Sequence, residues 1–349
     1  MISPSECKLD IIVIGGSIAG LSAAYFIQRA GHNVTVIERC DEEYFRAQPF
    51  SGLRIPATAS RLWDELPGLL DLLENRGVQH PGSVLRQGED FQLVGQMVYG
   101  DHIISDLGAN GYRIEYSKFW EYLYQLCLGN QVKFMFHLEA IDVITAESLH
   151  QPAKVITSSG RHIAGDLVIA ADGHNSKFCD LIEMESNDED EGVLEESRKW
   201  NTYVSSSVRG IQRKLVDDLD GQRILVEWWT RLYFSSVFAH SILKIWMLQE
   251  GKNNYVLNTY YSTLETTGGD MEWDSKGSSL SRPPELVSLQ HEPRFQKLLS
   301  MSEICYRNCQ KSSTPPCFNN STNQIVLIGD AARGSALVNA ILQAQTNRI

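Results

Sequence analysis

"DIIVIGGSIAGLSAAYFIQRAGHNVTVIER", residues 10–39, decides the fold. Residues 10–14 are mostly apolar and rich in β-branched side chains, as a strand buried on both faces of a parallel sheet requires. Ile18, Leu21, Ala24 and Tyr25 then recur at helical spacing, Ile27 widens the stripe, and Gly31 supplies a helix stop. "NVTVIE" (33–38) reads as a second buried strand. Strand, turn, helix and strand within about thirty residues form the context in which a glycine-rich turn signals dinucleotide binding.

Each position in that turn has a physical task. Gly15 permits a sharp exit from the strand, and Gly20 lets the helix pack closely on it. The position between them must let the backbone approach a pyrophosphate. Here it is Ser17, small enough to be tolerated and able to donate from its hydroxyl, with Gly16 beside it adding backbone freedom. The start of the helix presents N–H groups and a partial positive charge to phosphates. Glu38 stands at the end of the second strand, where a carboxylate can accept both hydroxyls of an adenosine ribose. It would also repel a 2′-phosphate, which argues against NADP at this turn. The fingerprint alone does not separate FAD from NAD.

The 349 residues allow about two domains at about 150 residues each. Hydrophobic residues at 43% and charged residues at 21% are ordinary globular values. A net charge of −12 argues against nucleic acid or an anionic membrane surface as a partner. Seven carboxylates lie within residues 185–196, the pattern of a solvated loop. The seven cysteines (7, 40, 127, 179, 305, 309 and 317) are odd in number and mostly scattered, which fits reduced thiols in the cytoplasm. No metal site is expected. No apolar run is long enough to span a bilayer, and the first apolar stretch lacks the layout of a signal peptide. The expected setting is therefore cytoplasmic, without stable membrane insertion.

Two later stretches repeat the first theme. "GDLVIAADGHNSKFCDLI" (165–182) and "NQIVLIGDAARGS" (323–335) each run from an apolar strand through an aspartate–glycine or glycine–aspartate pair into a helix. An aspartate at the carboxyl end of a buried strand is costly unless something there uses its oxygens. That edge is where open α/β sheets bind ligands.

GGSIAG, A-D-G-x-x-S (171–176) and G-D-A-A (329–332), in this order across residues 10–332, resemble the single-component FAD-dependent monooxygenases of the para-hydroxybenzoate and salicylate hydroxylase type, with a fungal look. "SGLRIPATASRLW" (51–63) is similar to the family segment that passes the flavin ring and enters a helix, and "HEPRFQKLL" (291–299) to the helix before the last strand. The resemblance implies a Rossmann-like α/β FAD-binding domain with a parallel sheet, plus a smaller substrate domain with a mostly antiparallel sheet. It implies FAD held by Gly15, Gly16, Ser17, Gly20, Glu38 and Arg39 at the adenosine end and by Asp330 and Ala331 near the ribitol. Gly52 and Arg113 are assigned to the flavin ring, and Asp172 with Gly173 to the cofactor and a passing nicotinamide. NADPH or NADH would be a transient co-substrate, since no second glycine fingerprint appears.

The departures are equally specific. Cys179 stands where the family carries an arginine after A-D-G-x-x-S, and Tyr116 takes the place of an arginine in its R-x-x-L helix, so that Arg113 substitutes only by a shift. After G-D-A-A the family continues with a proline and a G-Q-G-like loop that cradles the flavin pyrimidine. Here "RGSALVNAILQAQTNRI" reaches Ile349 without it, and a chain shortened at its C-terminus is the expectation.

Residues 200–264 alternate apolar and polar positions, as an antiparallel sheet with one ligand-facing side would. Trp228, Trp229, Tyr233, Phe234, Trp246, Tyr260 and Tyr261 fall there. Arg209 resembles a family arginine, and Arg209 and Tyr233 are the candidates for holding or deprotonating a phenol. The domains are drawn as 1–80, 110–185 and 300–349 for FAD and 81–109 and 186–299 for the substrate. The expected activity is NAD(P)H- and dioxygen-dependent hydroxylation or epoxidation of an aromatic or polyketide-like small molecule through a flavin hydroperoxide. An FAD-dependent oxidase or halogenase, or a non-catalytic remnant, stays open. The oligomeric state is unassigned.

Overall fold

Asp10–Ile14 forms the middle strand of a five-stranded sheet in the computed structural model, which describes residues 7–47, 52–60, 65–79, 82–87, 93–146, 151–173, 176–186, 199–208, 225–232, 241–250, 254–262, 304–312 and 317–333. The spatial order is Ile325–Leu327, Leu167–Ala170, Asp10–Ile14, Asn33–Ile37 and Lys133–Met135. Every neighbouring pair is parallel. The strands of all three motifs are thus adjacent, and their carboxyl ends lie along one edge.

Burial follows the sequence pattern. Ile11, Ile12, Val13 and Ile14 are each at most 4% exposed, as a central strand covered on both faces should be. The helix Ile18–Arg29 buries Gly20, Leu21, Ala24 and Tyr25, and Gly31 follows it in the left-handed region with φ 103°. The helix Tyr116–Gly129 buries Phe119, Trp120, Leu123, Tyr124 and Cys127, one face at a spacing of three to four residues. Phe178 and Ile182 of the helix Lys177–Ser186 join the core with Ile325, Leu327 and Ala331.

A three-stranded antiparallel sheet, Ala140–Ile144, Ala153–Thr157 and His162–Gly165, lies in the chain between the strands Lys133–Met135 and Leu167–Ala170 and has no counterpart in the sequence pattern. Its strands are short, and Ile141 and Ile144 point to solvent, so the periodic signal is weak.

Contacts divide the chain into two units, 1–48, 117–199 and 310–343 against 49–116, 200–309 and 344–349. Residues 49–80 and 110–116, drawn with the cofactor domain from sequence, fall in the second unit. The reason is a small antiparallel sheet in which Tyr112–Glu115 lies between Gly52–Ile55 and Val78–Gln79. The second unit also holds a seven-stranded sheet, ordered Ile304–Ser312, Lys199–Val208, Asn254–Ser262, Ser241–Glu250, Leu225–Leu232, Gly82–Gln87 and Leu93–Val98. Its registered pairs are antiparallel except Leu225–Leu232 with Gly82–Gln87, which is parallel. Among the described residues no helix is long and apolar enough to cross a membrane.

Candidate dinucleotide site

The edge of the parallel sheet gathers the three motif turns. Gly15 leaves its strand with φ 103°, and its N–H donates to the Ile37 carbonyl at 2.8 Å. A Cβ at Gly15 would meet the Ala171 carbonyl oxygen at 2.4 Å, so the first turn touches the second. A Cβ at Gly329 would meet the Ala19 Cβ at 2.7 Å, so the third motif touches the helix of the first. A Cβ at Gly20 would lie 1.9 Å from the Gly15 carbonyl oxygen, which fixes glycine there for close helix–strand packing.

Ser17 is the N-cap of the helix, in extended conformation, and its carbonyl accepts from the Leu21 N–H at 2.9 Å. Glu38 is buried, 7% exposed. Its Oε2 accepts from the Gly16 N–H at 2.6 Å and its Oε1 from the Cys40 N–H at 2.8 Å. The acid at the strand end therefore also holds the turn, a role the sequence does not announce. Arg39 beside it is exposed. Burial, and next the Glu38 charge, push the Cys40 thiol up to about 11, so it stays protonated at neutral pH.

Asp172 and Gly173 follow the strand Leu167–Ala170, with Gly173 at φ 94°. Burial lifts the Asp172 carboxyl to about 6, against the opposing Ser176 hydrogen bond and the charges of Arg39 and Lys177. Its Oδ1 is buried and has no hydrogen-bond partner among the described residues. Asp330 opens the short helix Asp330–Arg333, its carboxyl raised by burial, and Ala331 is buried beside it.

The remaining expected residues lie in the second unit or outside the described residues. Gly52 pairs with Glu115 and Arg54 with Arg113 on neighbouring strands, so the residues expected at the flavin ring share one small sheet. Arg113 is 1% exposed, and Tyr116 begins the following helix. Arg209 and Tyr233, the expected catalytic pair, lie outside the described residues, as do 291–299 and the stretch after Arg333.

The sequence reading missed Trp120. Its indole Nε1 donates to the Gly16 carbonyl at 2.7 Å, and the residue is fully buried. Phe45 and Tyr124 stack on it, with centroids at 4.8 and 4.9 Å. The available signal was indirect: a buried tryptophan N–H requires an acceptor.

A carboxylate at the second strand end, a glycine-lined turn and a helix start are the groups that the adenosine diphosphate half of a dinucleotide requires. The family of FAD dependent oxidoreductases matches residues 10–48. The FAD-dependent monooxygenase dpchE of Colletotrichum higginsianum is 27% identical over 213 residues, 60% of this chain and 44% of that protein. The FAD-dependent monooxygenase atmM of Aspergillus flavus is 28% identical over 188 residues, 50% of this chain and 36% of that protein. Over these stretches this chain is similar to fungal FAD-dependent monooxygenases. It spans less than half the length of these two curated relatives. Solved structures share the fold. FqzB superposes with a TM-score of 0.67 at 16% identity over 95% of this chain and 72% of that one. CtdE in complex with FAD gives 0.66 at 14% over 97% and 82%.

Proposed function

We propose that this chain binds FAD and uses NADPH or NADH and dioxygen to hydroxylate or epoxidise an aromatic or polyketide-like small molecule. The observation that carries the reading is the convergence of three distant motif turns on one sheet edge, with Glu38 beside the glycine turn. In this reading Gly15, Gly16, Ser17 and Gly20 admit the pyrophosphate, and the start of the helix Ile18–Arg29 offsets its charge. Glu38 keeps lone pairs for the ribose hydroxyls while its two oxygens hold backbone N–H groups. Asp330 and Ala331 meet the ribitol, and Asp172 with Gly173 orders the cofactor's surroundings. Gly52 and Arg113 are assigned to the ring by resemblance. Bound FAD would supply the electron transfer and oxygen activation; the chain supplies position and a dry setting. Arg209 and Tyr233 remain the proposed substrate contacts.

The direct test is reconstitution of the full chain with FAD, followed by gel filtration and a flavin absorbance spectrum. The wild-type chain should retain flavin, and Glu38→Ala should weaken FAD binding by about 10- to 100-fold, the cost of a charged acceptor lost from buried donors. Wild-type chain that emerges colourless from excess FAD defeats the proposal.

A further inference from the structure

We infer that Trp120 is a positioning residue for the dinucleotide turn, acting through the peptide that joins Gly16 to Ser17. The inference rests on the flavin reading above. Trp120 sits on the helix Tyr116–Gly129, and its indole N–H reaches the Gly16 carbonyl across 104 residues of sequence. No described peptide bond is cis. In a planar trans peptide the C=O and the following N–H point in opposite directions. Holding the Gly16 oxygen toward the indole therefore sends the Ser17 N–H the other way. Glu38 fixes the preceding peptide by accepting from the Gly16 N–H. The two peptides flanking Gly16 are each set by one side chain from a distant element.

The surroundings fix the indole itself. The Phe45 ring lies 5° from parallel to it and the Tyr124 ring 17°. The Tyr124 hydroxyl donates to Glu42 Oε1 at 2.8 Å, and Asp41 caps the short helix Glu42–Arg46 by accepting from the Tyr44 N–H at 2.7 Å. Both restraints on the Gly16 peptides thus trace back to residues 38–46, directly after the strand that carries the ribose acid. An aromatic residue that only filled space would not require its polar edge to be aimed at this one carbonyl. The turn is pre-ordered for a diphosphate, and pre-ordering raises affinity by removing the cost of arranging the backbone on binding.

The test is Trp120→Phe in the full-length chain, which keeps an aromatic ring and removes the N–H. FAD is titrated by its fluorescence, and ADP and adenosine are titrated as competitors. Trp120→Phe should raise the Kd for FAD and ADP by about tenfold, while the Kd for adenosine, which lacks the diphosphate, stays unchanged. A purely structural role would weaken adenosine and ADP alike, and that result overturns the inference, as does an unchanged FAD Kd. If Trp120→Phe does not fold, benzothienylalanine at position 120, which keeps the fused-ring shape without the N–H, takes its place in the same titrations. Wild-type chain that binds neither FAD nor ADP refutes the flavin reading and this inference together. Wild-type binding with an unaffected variant refutes the inference alone.

Discussion

The first and second motif turns sit on adjacent strands and begin alike, yet they are finished differently. At the first, a Cβ on Gly15 or Gly20 would collide with a backbone oxygen, and Glu38 accepts two backbone N–H groups. At the second, a Cβ on Gly173 would meet nothing within 4 Å among the described residues, and Asp172 Oδ1 has no partner among them. The first turn is determined by the protein's own contacts. The second, among the described residues, leaves an enclosed acid oxygen without a partner and room beside Gly173.

Substitutions at the two turns should separate these states. The largest effect is expected from Gly20→Ala, whose Cβ would collide with a backbone oxygen that no side-chain rotation can move. Destabilisation of at least about 3 kcal/mol is expected, read as the shift of a urea unfolding midpoint. A loss under about 1 kcal/mol would show that the first turn is not rigidly packed.

Asp172→Asn should act in the opposite sense. The folded-state pKa, about 6, lies above the unfolded value, so the native chain binds the proton more tightly than the unfolded one. Its stabilising contribution is complete below about pH 4 and is lost as pH rises through about 6. Flavin-free Asp172→Asn should therefore be more stable than wild type by about 2 kcal/mol at pH 8, with the difference vanishing near pH 4. Unfolding curves at the two pH values measure this; a pH-independent difference would mean the acid is already satisfied.

The smallest effect is expected at Gly173→Ala. The side chain has room, but φ 94° disfavours it, so a loss of about 1 kcal/mol is expected from calorimetry. A loss as large as that of Gly20→Ala would erase the contrast between the two turns.

Much of the first unit was legible because its signals are local. Ile11–Ile14 is a continuous apolar run, Val34–Ile37 is broken only by Thr35, and Gly15, Gly20 and Glu38 keep the spacing that a βαβ unit imposes. The shared pattern of the three motifs pointed to one ligand-binding sheet edge, while the order of their strands came from the structure. Trp120 was not legible because its partner is remote, and an aromatic on a helical apolar stripe reads as core. Glu38 was read for its ligand role, while its bond to the Gly16 N–H depends on how closely two strand ends approach. The division near residue 49 was not drawn from sequence because the strand Gly52–Ile55 finds its partner at Tyr112–Glu115, a pairing that no local pattern encodes.

The strand Ile325–Leu327 closes one side of the parallel sheet by pairing with Leu167–Ala170, and Gly329 then lodges against Ala19. A ribosome must therefore release the chain through Gly329 before the opening motif acquires this neighbour. Nascent polypeptide stalled ahead of that strand would expose the flank of Leu167–Ala170, an unpaired edge of the kind that chaperones shield and that other chains can capture.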